Sequence, residues 1–126
     1  MPQSHATILL AHGSRDPLWR RPIEAVQVRL QAAQPDAVVR CAYLELCPPT
    51  LHEVVQELAT QGIRRIAVVP LFLGAGRHVR EDLPLTVEAL ARAHPAVQLQ
   101  LAPHVGEDER LLQLMADIAA EASIDQ

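Results

Sequence analysis

Apolar positions along the chain switch repeatedly between two rhythms. Residues 6 to 11, ATILLA, form a short apolar run that suits a strand covered on both faces. Helical spacing follows, with Ile23, Val26, Leu30 and Ala33 three or four residues apart and Pro22 suited to a first helical turn. Residues that precede a proline are biased away from helix, so Pro17 and Pro22 predict a loop or one loose turn over residues 13 to 21. Residues 37 to 45 read as a second strand with Arg40 in its middle. Pro48 and Pro49 then open a helix with Leu51, Val54, Val55, Leu58 and Ala59 as its apolar stripe, and Gly62 is placed to end it. Residues 66 to 72 predict a third strand. The loop LGAGRH, 73 to 78, leads to a helix carrying Leu83, Val87, Leu90 and Ala91, with Pro84 expected in its first turn. Residues 97 to 101 alternate strictly, and Leu111, Leu112, Met115, Ile118 and Ala119 mark a last helix.

Strand and helix alternating in this way predict an α/β fold with a parallel sheet and right-handed crossovers. The first and third strands look buried on both faces and belong in the centre. The charged second and the alternating fourth look like edges. Order 2-1-3-4 satisfies both demands and sets the topological switch point between strands 1 and 3, where ligands bind beyond the carboxyl ends. No linker or repeat divides the chain, so one domain over residues 1–126 is expected, a four-stranded sheet with helices on both faces.

Composition narrows the function classes. Eleven basic residues, all arginine, against fifteen acidic ones give a net charge of -4, which argues against a nucleic-acid partner, as does a single Trp, Tyr and Phe. The absence of lysine excludes the G-x-x-x-x-G-K-[ST] phosphate loop. Gly74-Ala75-Gly76 lacks the third glycine of a dinucleotide fingerprint, and no G-x-S-x-G elbow accompanies Ser14. The apolar runs are too short to span a bilayer, no secretory pattern opens the chain, and Cys41 and Cys47 read as free thiols. The cytoplasm is the expected location, without a membrane partner.

Chemistry concentrates at predicted strand ends. His12 ends strand 1, Glu45 ends strand 2, and His78 lies just past strand 3, at equal intervals of 33 residues. Order 2-1-3-4 makes these strands neighbours, so two imidazoles and a carboxylate converge on one rim. Such a set suits a divalent transition metal with exchangeable positions, and imidazole also accepts protons near neutral pH. His5, His52 and His94 read as solvated surface, whereas His104, after strand 4, is within reach of the same rim. Arg15, Arg77 and Arg80 flank the two central histidines. They either grip a substrate bearing several carboxylates or pair with Asp16, Glu81 and Asp82. Asp82 is either a partner that orients His78 or a helix cap. Trp19 either lines a cleft or dimer contact or caps the core.

The stretches LLAHGSRDP at 9–17, AYLELCPPTL at 42–51 and VVPLFLGAGRHVREDLP at 68–84 resemble the short class II tetrapyrrole chelatases, the CbiX-type sirohydrochlorin cobaltochelatase family. With the helices between them, these stretches cover nearly the whole chain. The resemblance implies a chelatase-like three-layer fold, a metal bound by His12 and His78, and Glu45 assisting at the same site. It further implies a homodimer that forms a cleft for the macrocycle, with Co2+ as metal substrate, sirohydrochlorin as the second substrate and no organic cofactor. The arginines would then orient the acidic substituents of the ring. Iron or nickel chelation on the same scaffold and a non-catalytic metal carrier are the competing expectations. A receiver-like phosphorylation module is disfavoured, because lysine and an acidic cluster after strand 1 are both missing.

Overall fold

The computed structural model describes residues 5–122, so the two ends of the expected 1–126 domain lie outside the described residues. Four strands, β1 (His5–Ala11), β2 (Val38–Tyr43), β3 (Arg65–Pro70) and β4 (Gln98–Leu101), form one sheet. Every pairing is parallel and the order is β2-β1-β3-β4, as the patterning predicts. Helices α1 (Arg21–Ala33), α2 (Leu51–Thr60) and α3 (Arg77–Ala93) connect successive strands, and α4 (Glu109–Glu121) follows β4. The step from β1 to β2 runs opposite to the next two. Right-handed crossovers therefore put α1 on one face and α2 and α3 on the other.

The α2/α3 face holds the main core. Ile8, Leu10, Val54, Val55, Leu58, Ile66 and Val68 are almost wholly excluded from solvent there, with Leu83, Val87 and Leu90 of α3 packed against them. Thr50 starts α2 with a reciprocal cap: its hydroxyl accepts from the Glu53 N–H at 3.1 Å, and the Glu53 carboxylate accepts from the Thr50 N–H at 2.8 Å. Gly62, at φ 85°, closes the same helix as expected.

Three predicted boundaries move. α3 starts at Arg77, so His78 lies in its first turn and not in the preceding loop. The earlier start leaves Pro84 inside the helix instead of in the first turn. Pro84 gives up one backbone hydrogen bond, and the buried Leu83, Val87 and Leu90 keep the helix seated on the sheet. Strands 2 and 3 end two residues earlier than the apolar runs suggest, at Tyr43 and Pro70.

On the opposite face α1 covers β2 partly through polar contacts. The Gln27 side chain donates to the Val39 carbonyl at 3.0 Å, and the Gln31 amide bridges Ala37 O (2.7 Å) and Val39 N (3.2 Å). Neither α1 nor α4 buries a residue fully.

Candidate functional site

The segment His12-Gly13-Ser14-Arg15-Asp16-Pro17 leaves β1 through a chain of local turn bonds. Gly13 has φ 107°, a conformation that favours glycine, and a Cβ there would run into the Glu45 carbonyl oxygen. Ser14 Oγ accepts the Asp16 N–H at 3.0 Å, and Asp16 Oδ1 accepts the Leu18 N–H at 2.9 Å, which caps a 3-10 turn over Pro17–Arg20. Ser14 therefore holds backbone.

Parallel pairing continues past the ends of the strands. The Leu44 N–H donates to the Ala11 carbonyl and the Glu45 N–H to the His12 carbonyl, both at 3.0 Å, while Leu71 N–H donates to the Leu10 carbonyl at 2.8 Å. On the β3 side, the imidazole of His12 stacks on Phe72 with ring centroids 4.4 Å apart and planes 25° from parallel. His12 is thus fastened to β2 through its backbone and to the β3 loop through its ring, yet stays exposed. Glu45, exposed as well, lies on its β2 side.

His78 sits on the other helical layer. It lines a cavity of about 490 Å³ between α2 and α3, together with Tyr43, Thr50, His52, Asp82 and Thr86. Among the described residues, no hydrogen bond or ion pair joins His78 to His12 or Glu45, and no group of three His, Cys, Asp or Glu side chains forms a ready metal cage. The fold brings the three residues to the carboxyl end of one sheet, on elements that follow three adjacent strands.

His52 was expected to be plain surface. It is exposed, but it lies in the first turn of α2 and shares the His78 cavity. The missing signal was the T-x-x-E cap at Thr50, which places the start of α2 at the same rim. Asp82 is not a cap, since Gly76 occupies the N-cap of α3; it lines the same cavity. His104 turns toward Glu107, with Nδ1 3.8 Å from a carboxylate oxygen, and lines a separate cavity of about 270 Å³.

The arginines divide. Arg77 pairs with Glu81 at 3.1 Å on the solvent side of α3, and Arg80 donates to the Ala75 carbonyl at 2.9 Å. Arg15 is exposed and makes no ion pair among the described residues. Burial pushes the Tyr43 phenol up to about 12 and also raises the Cys41 thiol, so both stay protonated beneath the rim as scaffold. Trp19 packs toward Tyr43 with ring centroids 6.2 Å apart and is 37% exposed, so it shields the outer side of that tyrosine.

A doubly wound sheet with ionisable side chains gathered beyond its carboxyl ends belongs to the class of α/β domains that bind ligands at a switch point. The family model described as CbiX matches residues 6–122, and the chain belongs to that family. Over 79 residues it is 37% identical to the sirohydrochlorin cobaltochelatase of Methanopyrus kandleri, covering 63% of this chain and 55% of the relative. A sirohydrochlorin ferrochelatase of Priestia megaterium is 26% identical over 96% of this chain and 46% of its own length. The chain thus spans about half the length of these two curated relatives. The crystal structure of a putative cobalamin biosynthesis CbiX protein from Marinobacter aquaeolei VT8 superposes with a TM-score of 0.81 at 38% identity, covering 93% of this chain and 95% of that one.

Proposed function

We propose that the protein is a metal chelatase that inserts a divalent cation, Co2+ before others, into sirohydrochlorin. The observation that carries this reading is the fastening of His12. In a chain of the CbiX family, an exposed imidazole is stacked on Phe72, and its backbone carbonyl accepts the Glu45 N–H, which supports reading His12 as a metal ligand with Glu45 beside it as a base.

In this reading His12 and His78 hold the incoming cation and leave its other positions exchangeable. Two pyrrole N–H protons leave as the cation enters, so charge balances without any change of oxidation state. Glu45, or an imidazole not engaged by the metal, accepts them. Arg15, Arg77 and Arg80 orient the carboxylate arms of the ring. Two arginines in the first turn of α3, with no acidic residue there, oppose the helix dipole, an arrangement that anionic substituents relieve.

The working unit is a homodimer. The ferrochelatase relative carries about twice the aligned length, and a single rim supplies only one wall of a cleft for a macrocycle. The cytoplasm suits the free Cys41 and Cys47, and no described helix is long and apolar enough to cross a membrane. Fe2+ is the second candidate cation, because a relative aligned over 96% of this chain is a ferrochelatase by name.

Anaerobic spectrophotometry of sirohydrochlorin with Co2+, Fe2+ or Ni2+ tests the proposal. Insertion should run faster than the uncatalysed control, and His12→Ala and His78→Ala should each lose about 10²-fold or more of that rate. Metal binding without acceleration by any of the three cations would make the protein a carrier instead.

A further inference from the structure

We infer that Leu46 and Leu73 are substrate-positioning side chains, two rigid apolar seats on the loops flanking His12 that receive the flat face of the macrocycle. The inference rests on the chelatase reading and adds residues to it.

Leu46 directly follows Glu45. The Cys47 N–H donates to the Glu45 carbonyl at 2.8 Å across it, and its φ is 69°. These features define a γ-turn with a positive central φ, which is rare and strained when the central residue has a Cβ. Among the described residues Leu46 is the only non-glycine in that region of backbone space. Its side chain is nonetheless 50% exposed, so burial does not offset the strain. Glycine or asparagine would suit the backbone better, and a polar group would suit the exposure. Strain that no packing repays is characteristic of ligand-binding segments.

Leu73 stands in the corresponding place on the other side. It directly follows Phe72, whose ring carries His12, and is 61% exposed. Its backbone is clamped as well: Gly106 N–H donates to the Phe72 carbonyl at 2.9 Å, and a Cβ at Gly106 would run into the Leu73 carbonyl oxygen. β2 and β3 flank β1, so the two loops leave the sheet roughly 10 Å apart, two interstrand spacings. Apolar groups on fixed backbone lose little freedom when a ligand covers them. Two such groups beside an arginine-bearing rim suit a flat conjugated ring with anionic arms.

A second copy of this chain is the competing occupant, and one experiment separates the two. Leu46→Asn and Leu73→Asn are compared with wild type in steady-state insertion at varied sirohydrochlorin, in Co2+ titration without macrocycle, in thermal melting and in sedimentation. Each variant should raise KM for the macrocycle about tenfold, with a smaller change in kcat. Co2+ affinity and sedimentation should match wild type, Leu46→Asn should melt no lower, and Leu46→Met should restore KM. An unchanged KM in either variant, or a shift in oligomeric state, would overturn the inference. If wild type inserts no cation the chelatase reading fails by itself, and macrocycle binding, followed by its absorbance, still decides the role of the seats: wild type must bind more tightly than both variants.

Discussion

The two faces of the sheet are built to different standards. On the α2/α3 side, Val54, Val55 and Leu58 are at most 1% exposed, and helix and strand residues share one cluster. On the other side, where Ile23 and Val26 of α1 and Leu111 and Leu114 of α4 line a common cavity, no helical residue is fully buried, and Val28, Leu112, Leu114 and Ile118 stand open to solvent. One face is complete within the chain, whereas the other relies on glutamine side chains bonded to the edge strand and leaves its apolar stripe uncovered. The dense face also carries the helix starts that present His52 and His78. The side that presents ionisable groups to one cavity is thus the one with the firmest packing beneath it, as preorganised chemistry requires.

Truncation should expose this contrast most strongly. Leu58→Ala removes a side chain with no solvent exposure and should lower unfolding free energy by about 2–5 kcal/mol. Leu114→Ala, at 55% exposure, should stay within about 0.5 kcal/mol in denaturant titrations of dilute protein. Equal losses would mean that the open face is as tightly packed as the closed one. A smaller effect tests the anchoring of α2. Thr50→Ala removes the hydroxyl half of its cap, leaving the Thr50 N–H bond to Glu53, and should cost about 1 kcal/mol, read as a shift of the denaturant midpoint with unchanged slope.

The smallest expected effect lies on the open face. Arg110 holds the Asp108 carboxyl down to about 2 by side-chain hydrogen bonds of 3.0 and 2.7 Å, aided by the Arg110 N–H at 2.8 Å. Because the folded-state value lies below the ordinary 3.8, this contribution is present above that pH and is lost as pH falls toward about 2. Amide protection in α4, taken relative to the intrinsic exchange rate at each pH, should therefore fall as the pH drops through that window. Asp108→Asn should show faster exchange at neutral pH and no further step on acidification.

Much of the rim is legible in the sequence. A histidine directly after a buried run must stand where strand becomes loop, and Gly13, Ser14 and Asp16 have the turn chemistry that makes the break sharp. Glu45 was legible by the same logic. His78 was misplaced by an element type, because Arg77 and His78 carry no start signal and Gly76 caps without a side-chain bond. His52 was missed because helical periodicity puts it on the outer face and says nothing about a second helix beginning beside it. Leu46 ran against propensity, since nothing local announces a leucine at positive φ.

Periodicity, prolines and glycines by themselves determined the number, type and order of the elements, because these follow from local backbone preferences and from which positions must leave water. The tertiary structure alone decided how His12 is fastened, which face of the sheet is left open, and that His52 and Asp82 share a cavity with His78. The bonds behind those outcomes link residues about 30 positions apart in the chain, such as Glu45 to His12 and Gly106 to Phe72. Their geometry exists only once four parallel strands have set the spacing and register of the loops.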